Sequence, residues 1–521
     1  MRRPAPSSFV VALFALGCGE RASEPAASNW PADAPGPAGA GPGVRVFSGP
    51  AATLSAGTAC TSEANAAGDR WCAFVGRAST GDENLFVVNV SQVMAGTPVS
   101  CGAPDPDPHC LLLTEQLGGS AADFHPSYFG GDTLVYYDRT LTPYVWRPGM
   151  EAGRLLADRT DTHDLAFCTP APRGNAVACL ALPLERTDSA IVTGELYAGA
   201  ADGESEPLLS PIESVIVATR DDGQLPLRFG FGAFADGYIA WSSRVTPESA
   251  EVLELQHLDD PSQLLVAVDV HDWTITRDSR SWLWLQGANE LGMGTLQIAR
   301  FPDGADPVTL FTGVSDYEVD AGGSVVALTL DREVISIPDP VGAPDTQWLM
   351  DDDTAGILAS SDAGQVAYMR RYASGAFQDL VVSELDGTGS CVLEATGNFS
   401  SSLNFAPDSE SVLWARFEGD RYDAYHSRPA GCSSALLASD VVVLGWIGSG
   451  HAVFIDHYDP ASDSGSLAFR KIGKNGEVHP DPATPIAEQA DTYATWGPDF
   501  LLYTISTQTD ADGLYVRAFG R

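Results

Sequence analysis

The chain has 521 residues, 69 of them acidic and 29 basic, for a formal net charge of −40 at pH 7. A field of that sign repels phosphate backbones and anionic lipid surfaces, which excludes nucleic acid as a partner. With 44% hydrophobic and 19% charged residues the composition is that of a globular chain, not a disordered one.

Arg2 and Arg3 precede an apolar run at 9–16 (FVVALFAL), too short to span a bilayer, and Ala15-Leu16-Gly17-Cys18 follows. The segment resembles a bacterial lipoprotein signal peptide, with Ala15 and Leu16 in reversed order relative to the usual lipobox. The resemblance implies a signal peptide at 1–17 and a lipidated N-terminus at Cys18. That lipid would be the protein's membrane attachment, since no later run is long and apolar enough to cross. Gly19, where an inner-membrane retention signal would favour Asp, implies an outer-membrane destination, facing the periplasm or the surface. Residues 18–43, rich in Ala, Pro and Gly, read as a flexible tether.

Eight further cysteines remain, an even number suited to an oxidising compartment. Cys60/Cys72, Cys101/Cys110 and Cys168/Cys179 fall as close pairs, with Cys391 and Cys432 left over. The first and third pairs flank turns between strand-like runs, as cross-strand bridges would. The second encloses the turn-rich GAPDPDPH. A metal at His109 with Asp105 or Asp107 is the minor alternative there, because no paired spacing supports it.

From Val44 to Arg521 short β-branched and aromatic runs alternate with Gly, Asp, Pro and Ser turns. Ten runs follow such turns: 71–75, 134–138, 176–181, 238–243, 282–286, 325–330, 366–370, 412–416, 452–456 and 501–505. Most successive starts lie about 40 to 50 residues apart, the length of one four-stranded propeller blade. Second strands often follow, as at 84–90, 295–304, 379–389 and 466–477. The predicted fold over 44–521 is all-β: a β-propeller of four-stranded antiparallel blades in one ring of seven to ten, with two tandem propellers as the alternative. The strand at 44–47 is expected to close the ring by joining the last blade.

Within this texture, 359–368 (ASSDAGQVAY) followed by DLVVSELDGTG resembles the TolB-type, WD40-like propeller repeat. Phe405-Ala406-Pro407-Asp408-Ser409 before VLWAR and Trp496-Gly497-Pro498-Asp499-Phe500 before LLYTI are further copies. The resemblance implies a fold and leaves chemistry open. Turn formation by itself explains Asp362, Asp408 and Asp499.

No G-x-S-x-G elbow, phosphate loop, dinucleotide fingerprint or H-E-x-x-H motif appears. His451 and His457, with Asp456 and Asp459, could meet at a rim as a metal site, although rim polar groups are the commoner outcome. Asp351-Asp352-Asp353 is expected to be an exposed acidic turn, with Ca²⁺ the weak alternative and no other cofactor implied. Trp146, Trp241, Trp282, Trp284, Trp414, Trp446 and Trp496 are expected to pack between blades, with a sugar-stacking platform as the lesser reading. No catalytic residue is assigned. The leading expectation is a non-catalytic cell-envelope lipoprotein that binds a protein, peptide or small ligand. A glycan hydrolase or lyase with acids converging from several blades is the alternative, and paired funnel carboxylates would favour it. An apolar patch on the side of the ring would favour a structural module of a surface complex.

Overall fold

A computed structural model describes residues 43–519 with interruptions, the longest at 116–126, 184–190, 219–228 and 231–237. Cys18, the signal segment and nearly all of the tether lie outside the described residues. Among the described residues, one short helix, Val90–Met94, and one 3-10 turn accompany the antiparallel strands and their connecting turns. Among the described residues no helix is long and apolar enough to cross a membrane.

The protein is a β-propeller. Its blades comprise residues 51–114, 127–155, 163–218, 229–268, 270–314, 314–351, 354–397, 399–438 and 441–491, numbered 1 to 9 in that order. Blade 10 combines 495–518 with Val44–Ser48. Neighbouring blades share strands in places. Val308–Val319 pairs through its first half with blade 5 and through its second half with blade 6, so one strand is outermost in one blade and innermost in the next.

Each of the ten runs read from the sequence is the second strand of a blade. Side chains alternate across a strand, and here both faces are covered. In blade 5, Trp282 and Trp284 pack against blade 4, while Leu283 and Leu285 pack against blade 6. The run is therefore apolar throughout instead of alternating with polar residues.

Ten apolar clusters fill the seams, each joining one blade to the next. The tenth joins blade 10 back to blade 1, through Val46, Phe47, Leu514 and Val516 on one side and Phe74, Phe86 and Val88 on the other. Two tandem rings would each close on themselves; this circuit closes once. Closure uses the strand Val44–Ser48, which pairs antiparallel with Gly513–Ala518 as the outermost strand of blade 10. Phe47 then reaches blade 1, with its ring centroid 5.5 Å from those of Phe74 and Phe86. A Cβ on Gly76 would stand 2.6 Å from the Phe47 ring, so this close approach requires glycine.

First strands stand nearest the axis. Thr354–Ser360 runs beside both the 314–319 half-strand before it and Phe399–Phe405 after it, while outermost strands of adjoining blades make no comparable approach.

Four disulfides tie the ring. Cys168 and Cys179 face each other across the first two strands of blade 3, and Cys60–Cys72 pins the segment before the second strand of blade 1. Cys101–Cys110 closes the turn between the third and fourth strands of blade 1. Cys391–Cys432 crosses a seam, from the outermost strand of blade 7 to a turn of blade 8.

Candidate functional site

Most of the titratable residues singled out in the sequence have structural duties. Asp107 accepts from the amides of His109 and Ser100, both at 2.8 Å, and so shapes the turn that Cys101–Cys110 closes. Asp105 lies outside the described residues. His451 is buried in the seam between blades 9 and 10, edge-on to Phe469 and Phe519. His457 is exposed at the far end of the same strand, with Nδ1 2.9 Å from Oδ1 of Asp456. The two histidines therefore do not share a rim. Asp459 follows at the exposed end of that strand.

The acidic run of blade 6 differs from the exposed turn expected for it. Asp351 is buried and takes a 2.6 Å ion pair from Nε of Arg370, on the second strand of blade 7. Asp353 lies 3.8 Å from Arg332. Two arginines thus balance these carboxylates locally. Among the described residues no group of three or more His, Cys, Asp or Glu is placed to hold a metal.

The tryptophans pack in the seams. Trp146, Trp241, Trp282 and Trp414 are fully buried, and Trp284 and Trp446 nearly so. Several spend their indole donor locally: Trp146 on Met150 O, Trp282 on Pro302 O, Trp414 on Ser427 Oγ and Trp446 on Asn404 O. The Trp496 side chain lies outside the described residues. Asp408 accepts from the Glu410 amide within its turn, as Pro-Asp turn chemistry requires, and Asp362 lies outside the described residues. Asp499 sits in the turn before the second strand of blade 10, and its carbonyl accepts from Phe519 N.

The residues that stand apart were not singled out from the sequence. Asp316 and Glu318 lie on the axial half of Val308–Val319, the innermost strand of blade 6. Their cross-strand partners, Leu328 and Val326, pack in the seam toward blade 7, whereas Tyr317 and Val319 pack toward blade 5. Both carboxylates therefore leave the strand on the blade 7 side, beside Thr354–Ser360. Two residues along a strand span roughly 7 Å, which sets the spacing of the pair.

Both side chains are exposed on the strand, yet neighbouring protein excludes part of their water. Crowding lifts both carboxyls above their ordinary range. The charge of Asp316 raises Glu318 further, while the Tyr317 amide, donating to Asp316 at 2.9 Å, draws Asp316 partly back. Among the described residues no cation enters either balance. The sequence signal was present in GVSDYEVD, where acids sit on alternate positions of a strand, so that one face of an axial strand is acidic.

No protein-family model matches the chain, and no curated protein matches it. Solved structures do resemble it. A eukaryotic initiation factor aligns at 11% identity with a TM-score of 0.49, covering 80% of this chain and 96% of its own. The tricorn protease aligns at 11% identity and a TM-score of 0.32, covering 87% of this chain and 46% of its own. TolB from Acinetobacter baumannii aligns at 12% identity and a TM-score of 0.26, covering 51% of this chain and 77% of its own. Likenesses this distant carry nothing about activity.

Proposed function

We propose that this chain is an exported binding propeller, held to the outer membrane by lipid on Cys18, whose axial channel receives a cationic ligand, a basic peptide segment in the first instance. The carrying observation is the Asp316–Glu318 pair: two neighbouring carboxylates on an axial strand, both raised by burial and Glu318 further by the charge of Asp316, with no cation among the described residues in their balance. A bound cation would supply the charge that the fold does not. Four disulfides support residence in an oxidising compartment.

Titration calorimetry with trilysine tests the channel. Asp316→Asn with Glu318→Gln should weaken binding about tenfold, some 1.4 kcal/mol. Binding by the unmodified protein should weaken as pH falls, because protonating raised carboxyls removes the charge that the ligand meets. Equal affinity in the double variant would refute the channel reading. For the anchor, Cys18→Ser should move the protein from the membrane to the soluble fraction; unchanged partitioning would refute lipidation there.

A second reading, a glycan-cleaving enzyme, is favoured by the same raised pair. Two neighbouring carboxyls raised above their ordinary range are the kind of pair from which an acid and a base flanking a glycosidic bond are built. Both acids come from one strand, however, and not from several blades. Release of reducing ends from polysaccharide by the unmodified protein, lost in the double variant, would select this reading over simple binding.

A further inference from the structure

The outermost strand of blade 6, Trp348–Asp351, pairs on one side with Val334–Ile337 and ends its sheet, so its other edge is open. Open edges are ordinarily guarded by lysine, proline or a twist away from partners, because a row of unpaired backbone groups recruits other strands. This edge reads Trp348-Leu349-Met350, with no such guard; Trp348 and Leu349 face water, while Met350 packs into the seam toward blade 7. Trp348 is 44% exposed and Leu349 58%, and Val341 in the preceding turn is 52% exposed.

Carboxylates frame the patch. Asp339 and Asp345 lie in the turn that carries Val341, and both are exposed. Asp386 comes from blade 7, in a turn where a Cβ built on Gly387 would stand 4.0 Å from Trp348 Cβ and 3.6 Å from Leu349 O. Successive side chains leave opposite faces of a strand, so Trp348 and Leu349 mark the two faces of this edge, and an exposed tryptophan with a charged rim is the anatomy of a protein interface. These three rim groups are acidic, the nearby Arg332 and Arg370 being paired with Asp353 and Asp351, and the chain carries −40 overall. A second copy or an anionic lipid surface would be repelled, whereas a cationic partner is complementary.

We propose that the outer edge of blade 6 docks an extended, lysine- or arginine-rich segment of a partner protein. The segment adds as a further strand beside Trp348–Asp351. Its apolar side chains cover Trp348 and Leu349, and its cations meet Asp339, Asp345 and Asp386. This surface is separate from the axial pair and does not depend on it.

The probe is a fluorescently labelled ten-residue peptide of alternating lysine and valine, read by anisotropy against the full chain. Trp348→Ser with Leu349→Ser should weaken binding about tenfold or more at unchanged thermal midpoint, since both side chains are exposed and the change adds no charge. Asp339→Asn, Asp345→Asn and Asp386→Asn together should flatten the salt dependence. A peptide of alternating glutamate and valine should not bind, and in the Asp316→Asn, Glu318→Gln background, where the axial pair cannot take up lysine, the lysine peptide should still bind and still lose affinity on the Trp348/Leu349 change. Equal peptide affinity in the Trp348/Leu349 variant would overturn the proposal, as would failure of the lysine peptide to bind. Concentration-dependent self-association that the same variant abolishes would also overturn it, assigning the edge to a second copy.

Discussion

The second strand and the outermost strand of a blade are neighbours in chemistry and opposites in environment. Phe500–Ile505 is buried at every position, and Trp71–Arg77 at all but the last. Trp348–Asp351 and Ser433–Ala438 present most of their side chains to water. All four belong to blades of one ring, so propensity does not separate them; coverage does. A second strand has a sheet on each face, and alternation only decides which seam a residue joins. An outermost strand has one paired edge and splayed neighbours, and its apolar residues buy little stability.

Substitutions should expose that contrast. Trp414→Ala, in the second strand of blade 8, removes a fully buried indole stacked at 4.5 Å on Tyr425 and bonded to Ser427 Oγ. It should cost about 3–5 kcal/mol in denaturant unfolding. A loss below about 1 kcal/mol would mean that the seams are not close-packed.

A smaller effect comes from a seam histidine. His426, 2% exposed in the third strand of blade 8, is pushed down to about 4 by burial and by the charge of Arg428. Unfolded, the same group titrates near 6.5, so between pH 6.5 and 4 the unfolded chain binds the extra proton and stability falls as pH falls. The loss attributable to this group should approach about 3 kcal/mol at pH 4. His426→Gln should show a correspondingly shallower acid slope than the unmodified protein; equal slopes would show that His426 does not sit neutral in the seam.

Least affected should be the outside. Leu265→Ser, on the outermost strand of blade 4 and 56% exposed, should change stability by no more than about 0.5 kcal/mol. A larger cost would mean that something covers this strand.

The same contrast explains what could be read from the sequence. All ten second strands were visible, because two-sided burial writes them as continuous apolar runs such as WLWLQ and AVFID. Third strands were visible in four blades, three of them closed by a glycine-containing turn such as Asp-Gly. First and fourth strands were not: Arg154–Leu155 is two residues long, and Val308–Val319 serves two blades at once, so neither has a length or period of its own. The ring closure was legible because Val44–Phe47 is a lone strand with no partner nearby in sequence. The candidate site was less so. The histidines and Asp351–Asp353 stand out by rarity or density, yet Arg370 and Arg332 balance these acids from sites remote in sequence. Asp316 and Glu318 carry no motif; only their place on an axial strand sets them apart.

The central claim is that one ring of ten blades closes where the two ends of the chain meet, and it can be tested at Val44 and Val516, which face each other across that junction. Directly opposed residues of antiparallel strands lie about 4.5–5.5 Å apart between Cα atoms, within reach of a disulfide. The account predicts that Val44→Cys with Val516→Cys yields a cross-linked peptide pair by mass spectrometry and a raised thermal midpoint under non-reducing conditions. Two free thiols and an unshifted midpoint would contradict it.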